Sequence, residues 1–258
     1  TSVSINGNGS EIWWNPAHIS SNQTSMWMQT FHWFVDGKGS YGGFSVPSRW
    51  GGFSAYYMNH IMEGYEARDN PGPSQGDFTL RQSLLAAGGA VNLLRNMSFG
   101  FAIKQAIEVF QGRRAKRSNI FDIGLNWQLD KYSVGFAAAN VVFDEKKDEN
   151  LPFTLRSGLS YYHNIDDYNI VLAYGGDLRR PSEVDKEDDF ELINKFGLEI
   201  GWSEMLFGRL GCMIGDDSQN ISYGVGVIAQ EIYQFDFAVV PSKYDLGTTW
   251  KMGLGIVF

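Results

Sequence analysis

In the closing segment of the chain, Trp250, Met252, Leu254, Ile256 and Phe258 take every second position, and Lys251, Gly253, Gly255 and Val257 take the positions between. A β-strand points successive side chains to opposite faces, so this stretch sets a row of large apolar groups against a row of small or charged ones. The same division returns in Met97, Phe99, Phe101 and Ile103 against Ser98, Gly100, Ala102 and Lys104, and in Phe121, Ile123, Leu125 and Trp127 against Asp122, Gly124, Asn126 and Gln128. It recurs around Tyr168–Tyr174, Phe196–Trp202 and Tyr233–Val239. A soluble sandwich seldom keeps so many large aromatics on its outward side. Hydrocarbon on one face and a polar lumen on the other satisfy both rows.

Extending the two-fold rule along the chain predicts strands at 26–35, 40–47, 51–62, 78–93, 97–110, 118–128, 131–142, 151–163, 167–178, 191–202, 205–215, 220–228, 231–239 and 247–258. The fold class is therefore all-β, a transmembrane antiparallel barrel of about fourteen strands, with a plug segment at 1–24 and the barrel at 25–258. Weak alternation at 40–47 and around Gly88-Gly89 predicts bulges there. Alternate connections are short: Pro47 to Trp50, Arg95-Asn96, Leu129-Asp130, Asn164 to Asp166, Ser203-Glu204 and Ala229-Gln230. The others hold every long polar insertion, including 63–77, 144–150 and 179–189. Bacterial barrels have short periplasmic turns and longer outer loops, which this rhythm matches. Trp127, Tyr132, Tyr161, Tyr168, Trp202, Phe207 and Tyr233 then form an aromatic girdle at the periplasmic interface.

Composition agrees with strands and turns: charged residues are only 19%, aromatics reach 15%, and there are 30 glycines. No run approaches the roughly 20 apolar residues of a membrane-spanning helix, as expected when strands alternate. The net charge of −8 argues against a nucleic-acid partner. The one cysteine, Cys212, has no disulfide mate and no zinc spacing around it, which suits a small buried or lipid-facing residue. His18, His32, His60 and His163 are scattered, without metal spacing or a nucleophile beside them. The reading is of a non-enzymatic outer-membrane chain with no metal and no cofactor. Thr1 is not followed by a basic, apolar leader, so the chain reads as a mature form.

Parity turns Lys104, Glu108, Asp122, Arg156, Glu199, Asp236 and Lys251 inward. An unpaired charge in a lumen costs several kcal/mol, so mixed signs favour a network that ties a plug to the wall. The alternative is a polar gate that a passing solute displaces. Inward glycines, among them Gly100, Gly124, Gly135, Gly197, Gly224, Gly226, Gly253 and Gly255, allow close approach of a plug or sharp bending. Arg113, Arg114, Lys116 and Arg117 fall in an outer loop, either as a contact for lipopolysaccharide phosphates or as a solvated charge run. The acidic stretches 144–149 and 183–189 bind cations between lipid headgroups or keep the surface soluble. Phe258, on the lipid-facing register, resembles the terminal signal read by barrel-insertion machinery.

Before the first strand stand Trp13, Trp14, Asn15, Pro16 and Ala17, where Asn can cap a short helical turn and Pro can occupy its first position. An Asn-Pro-Ala box preceded by aromatics and followed by a barrel resembles the FadL superfamily. The later landmarks are most similar to its PorV/PorQ branch: Phe121–Leu125, Phe196–Glu199, Leu206–Gly211, Tyr223–Gly226, and Phe235–Ala238 followed by Leu246–Thr249. Two departures stand out. His18 replaces the usual Gly, and the chain is short with modest outer loops. The resemblance implies a partner or subunit in protein export and surface attachment, of the type IX secretion kind. The wider superfamily implies a passive channel for a hydrophobic ligand, with lateral exit through the wall. A structural barrel in a larger envelope assembly is the third reading. Modest loops leave little material for an external ligand-capturing groove, which favours the first and third. The partners expected are outer-membrane lipid and lipopolysaccharide, other envelope or secretion proteins, and, for a channel, a hydrophobic ligand.

Overall fold

The computed structural model describes residues 11–19, 23–33, 37–66, 76–110, 115–142, 152–180, 190–216, 218–243 and 247–258. The described residues form fourteen antiparallel strands: β1 Ser25–His32, β2 Lys38–Ser48, β3 Gly51–Glu66, β4 Asp77–Leu94, β5 Met97–Phe110, β6 Lys116–Leu129 and β7 Tyr132–Val141; then β8 Thr154–Ile165, β9 Tyr168–Arg179, β10 Glu191–Trp202, β11 Leu206–Ile214, β12 Ile221–Ala229, β13 Tyr233–Pro241 and β14 Thr248–Val257. Each pairs with its sequence neighbours, and β1 pairs with β14, so the sheet closes into a barrel. Closure leaves no open edge, which is what allows a sheet to lie in hydrocarbon with its backbone groups bonded internally.

One end of the barrel is made of tight turns. Ser203-Glu204 and Gln230-Glu231 hold both residues at positive φ, the twist that two-residue hairpin loops need. Strand length differs around the wall. β11, β12 and β13 have 9 residues each, enough to cross the bilayer with tilt, whereas β3 has 16 and β4 has 18 and both run past the apolar belt at the long-loop end.

The belt is continuous. Phe53, Leu85, Phe101, Ile123, Phe136, Leu159, Leu172, Phe196, Leu210, Val225, Phe237 and Leu254 all point outward and are exposed. An outward apolar ring of this extent on a closed fourteen-stranded barrel belongs in a membrane, and the protein is an outer-membrane barrel. Cys212 lies on this outer face, exposed.

The register corrects several expectations. Strand β2 is paired without interruption from Lys38 to Ser48, and β4 runs straight through Gly88-Gly89. Those glycines mark crowding instead of bulging: a Cβ on Gly43 would strike the Ala55 carbonyl, and one on Gly88 would lie 2.6 Å from that of Phe101. The register shifts fall elsewhere, at Met62/Tyr65, Asn92/Leu94 and Phe121/Ile123. Phe207 leaves the girdle, because pairing of Gly201 with Phe207 places its ring on the lumen side beside Arg209. β8 starts at Thr154 and not at 151, since Pro152 has no N–H for the ladder. Lys116 and Arg117 are in strand β6, not in a loop. Arg113, Arg114 and both acidic stretches lie outside the described residues, as does the expected strand end at 34–35.

Candidate functional site

Residues 11–19, ahead of β1, lie inside the barrel. It consists of one helical turn, α1 (Glu11–Trp14), and a 3-10 turn, Pro16–Ile19. Asn15 joins them. Its Oδ1 accepts from the Ala17 amide at 3.0 Å, its carbonyl accepts from the His18 amide at 3.1 Å, and its Nδ2 donates to the Leu125 carbonyl of the wall at 3.2 Å. One side chain thus caps the turn and fastens it to β6.

Three wall glycines make room for this contact. A Cβ on Gly124 would collide with Asn15 Oδ1, one on Gly100 with the backbone of Pro16, and one on Gly52 with the carbonyl of Ile19. Ile12, Asn15, Pro16, Ala17, His18 and Ile19 are buried, packed with Leu84, Ala86, Ala90 and Ala102. Four helical residues have no stability of their own. The wall supplies it: Arg156 Nη1 donates to the carbonyls of Trp13 at 2.9 Å and Trp14 at 3.3 Å, the open end of α1. Lys104 lies over the Trp13 ring at 5.0 Å, and Arg156 and Lys195 lie over Trp14 at 5.3 and 5.5 Å.

The lumen charges gather in pairs. Lys104 is bonded to Asp122, both buried. Asp122 also accepts from the Asn140 amide at 2.9 Å, where Asn140 adopts φ 60° and β7 bulges away from β6. Asp177 takes Lys195 at 2.5 Å and faces Arg156 Nε at 3.7 Å. Arg209 bridges Glu199, at 2.5 Å, and Asp236. Gly226 lies beneath that bridge; a Cβ there would stand 2.9 Å from Asp236 Oδ1 and 3.0 Å from Arg209 Nη1.

The opposite wall is aromatic. Trp27, Phe31, Tyr41 and Tyr56 face inward from β1, β2 and β3, with ring centroids 5.4 Å apart for Trp27 and Tyr56, 5.8 Å for Tyr41 and Tyr56, and 6.0 Å for Phe31 and Tyr41. Trp13 of the plug joins them 5.6 Å from Tyr56. Above the plug Trp13, Phe31, Tyr41 and Tyr56 help to line a cavity of about 630 Å³ with a largely apolar lining. That is within the range of pockets for small organic ligands. Its charged lining residues are Glu108, Lys116 and Lys251. Glu108 accepts from Gln82 Nε2 at 2.9 Å, and Gln82 Oε1 lies 3.4 Å from His60 Nδ1.

Of the residues expected to face inward, Lys104, Asp122 and Arg156 meet the plug or its anchors, Glu199 and Asp236 meet through Arg209, and Glu108 and Lys251 line the cavity. Lys116 also lines it, opposite Glu108 in the β5–β6 register, whereas Arg117 turns outward. Asp177, Lys195 and Arg209 complete the ion pairs; Asp177 and Lys195 follow from the same parity rule, two residues beyond Gly175 and two before Gly197, whereas Arg209 shares the face of Phe207, which the girdle assignment turns outward. The aromatic wall carries no such signal, because β1 and β3 have bulky groups on both faces. Phe258 is exposed, and its amide donates to the Thr24 carbonyl at 2.8 Å.

No family model matches the sequence, and no curated protein matches it. Solved structures do. A monoaromatic hydrocarbon channel, the TodX deltaS2S3 mutant, superposes with a TM-score of 0.66 over 100% of this chain and 95% of its own, at 12% identity. The CymD monoaromatic hydrocarbon channel gives 0.64 over 99% and 93%, at 10% identity. The toluene transporter TodX of Pseudomonas putida gives 0.61 over 100% and 94%, at 10% identity. The chain shares the barrel fold of these channels.

Proposed function

We propose that the protein is a passive, non-enzymatic channel that admits hydrophobic small molecules and releases them through the barrel wall. The observation that carries this reading is the aromatic cavity above the plug, formed by Trp13, Phe31, Trp33, Tyr41 and Tyr56. Modest outer loops do not weigh against it, because the capture site is made by β1–β3 and the plug inside the lumen. The structural neighbours described as hydrocarbon channels add support through their shared fold. The reading as a partner in protein export rests on sequence landmarks alone and has no counterpart among these neighbours.

A polar, plugged lumen is a poor route for an apolar solute, so exit is sideways into lipid. The β6–β7 seam is the line proposed for it: the ladder breaks at Asp122, Asn140 bulges, and a depression of about 560 Å³ lined by Ile123, Phe136, Ala137 and Ala138 lies on its outer side. Uptake of radiolabelled toluene by cells lacking their own hydrophobic-solute channels tests the function. Expression should raise the rate several-fold, and a rate equal to the empty-vector strain rejects it. Ile123 and Ala138 are register partners. Cysteines at both, in a Cys212→Ser background, should block uptake when oxidised and restore it when reduced. Uptake indifferent to the cross-link rules out this exit.

A further inference from the structure

Every cation that touches the plug or the ionic wall has a carboxylate: Lys104 has Asp122, Arg156 and Lys195 share Asp177, and Arg209 has Glu199 and Asp236. Lys251 breaks the pattern. It projects inward from β14 into the aromatic cavity, half-buried, with neither an ion pair nor a hydrogen bond among the described residues. Its register partners are Phe31 on β1 and Ala238 on β13. Glu108, the one carboxylate in the cavity lining among the described residues, is across the lumen on β5, held by Gln82 and opposite Lys116. Asp236 faces the lumen from β13, one inward step from Ala238, but is taken by Arg209, so among the described residues no carboxylate pairs with Lys251, and the Tyr41 and Tyr56 hydroxyls are further donors at the same cavity.

An ammonium in a largely apolar cavity without a bonded counter-ion is costly, and a ligand that brings an anion removes that cost. The rings Trp13, Phe31, Tyr41 and Tyr56 offer flat faces and edges at mutual angles between 32° and 44°, suited to offset stacking on a planar body. We propose that the cavity selects an aromatic monocarboxylate, with the ring system against the aromatic wall and the carboxylate on Lys251. This rests on the channel reading and narrows it from hydrophobic solutes in general to acids with a flat apolar body.

Equilibrium binding to the purified full chain in detergent, followed by isothermal titration with 2-naphthoate, naphthalene and decanoate, tests it. One charge-assisted contact predicts that naphthoate binds about tenfold tighter than naphthalene. Lys251→Met should erase that difference by weakening naphthoate binding about tenfold, and Lys251→Arg should keep most of it. Retained heat-modifiable mobility on gels shows that each variant is folded. Equal binding of naphthoate and naphthalene, or naphthoate binding unaffected by Lys251→Met, overturns the proposal and leaves the channel reading standing. Decanoate binding as tightly as naphthoate overturns the aromatic part. If none of the three binds and toluene uptake is also absent, the channel reading itself has failed.

Discussion

Gly100 and Gly124 are residues at which the seating of the plug is sensitive to a single carbon atom. The Cβ of an alanine at Gly100 would meet backbone atoms of Pro16 and Ala17, which cannot rotate away, whereas at Gly124 it would meet the end of the Asn15 side chain. Overpacking against fixed atoms costs about 1–3 kcal/mol. Gly100→Ala is therefore expected to lower stability by that amount in reversible urea unfolding, and Gly124→Ala by less, since Asn15 can turn at the loss of its bond to Leu125. Removing residues 1–19 should make Gly100→Ala neutral; a penalty that persists without the plug would show that the glycine serves the strand and not the seat. These notches were legible in the sequence as inward glycines, because parity alone assigns a face. Which of them meet the plug was not, since Gly253 and Gly255 have the same parity and face only Asp236, Gln234 and β1.

Among the elements, β6 and β7 depend on a side chain where the ladder is irregular. Asp122 neutralises Lys104 and takes the amide of Asn140 that the bulge leaves free. Truncating one member of a buried ion pair leaves the other charge uncompensated, so Asp122→Ala should cost about 3–5 kcal/mol, whereas Lys104→Met with Asp122→Leu should cost far less. Urea unfolding of the two variants decides between them: equal losses would mean that the bulge contact, and not the charge, dominates. The bulge itself left no trace in the sequence, because Ala137, Ala138 and Ala139 suit either face and no glycine marks the site. The bulges expected at 40–47 and at Gly88-Gly89 failed for the converse reason. Glycine there answers to the Ala55 and Phe101 carbonyls of neighbouring strands, contacts known only once pairing is known. β1 and β3 hid the aromatic wall similarly: Met26 and Met28 face out while Trp27 and Phe31 face in, so two bulky rows compete and alternation names no lumen side.

For the whole molecule, compartment and fold rest on one asymmetry, apolar bulk outside and charge within, and a pair of substitutions on adjacent residues isolates it. Leu198 and Glu199 are neighbours on β10; Leu198 faces lipid between Leu172 and Leu210, and Glu199 faces the lumen against Arg209. Arginine at a lipid-facing position near the bilayer midplane costs about 2–4 kcal/mol in barrels of this kind, because the guanidinium has to leave water and no carboxylate awaits it. Leu198→Arg should therefore destabilise the protein by about that much in lipid vesicles. Glu199→Gln removes one acceptor from Arg209 but leaves Asp236 and a polar lumen, so about 1 kcal/mol or less is expected for loss of one of two partners. Equilibrium unfolding in vesicles orders the two. A smaller loss for Leu198→Arg than for Glu199→Gln would mean that the outward face of β10 is wet, and with it would go the reason for placing the barrel in a membrane. Cys212 reports on the same face independently of stability: a membrane-impermeant maleimide should fail to label it in vesicles, and a lipid-soluble one should succeed.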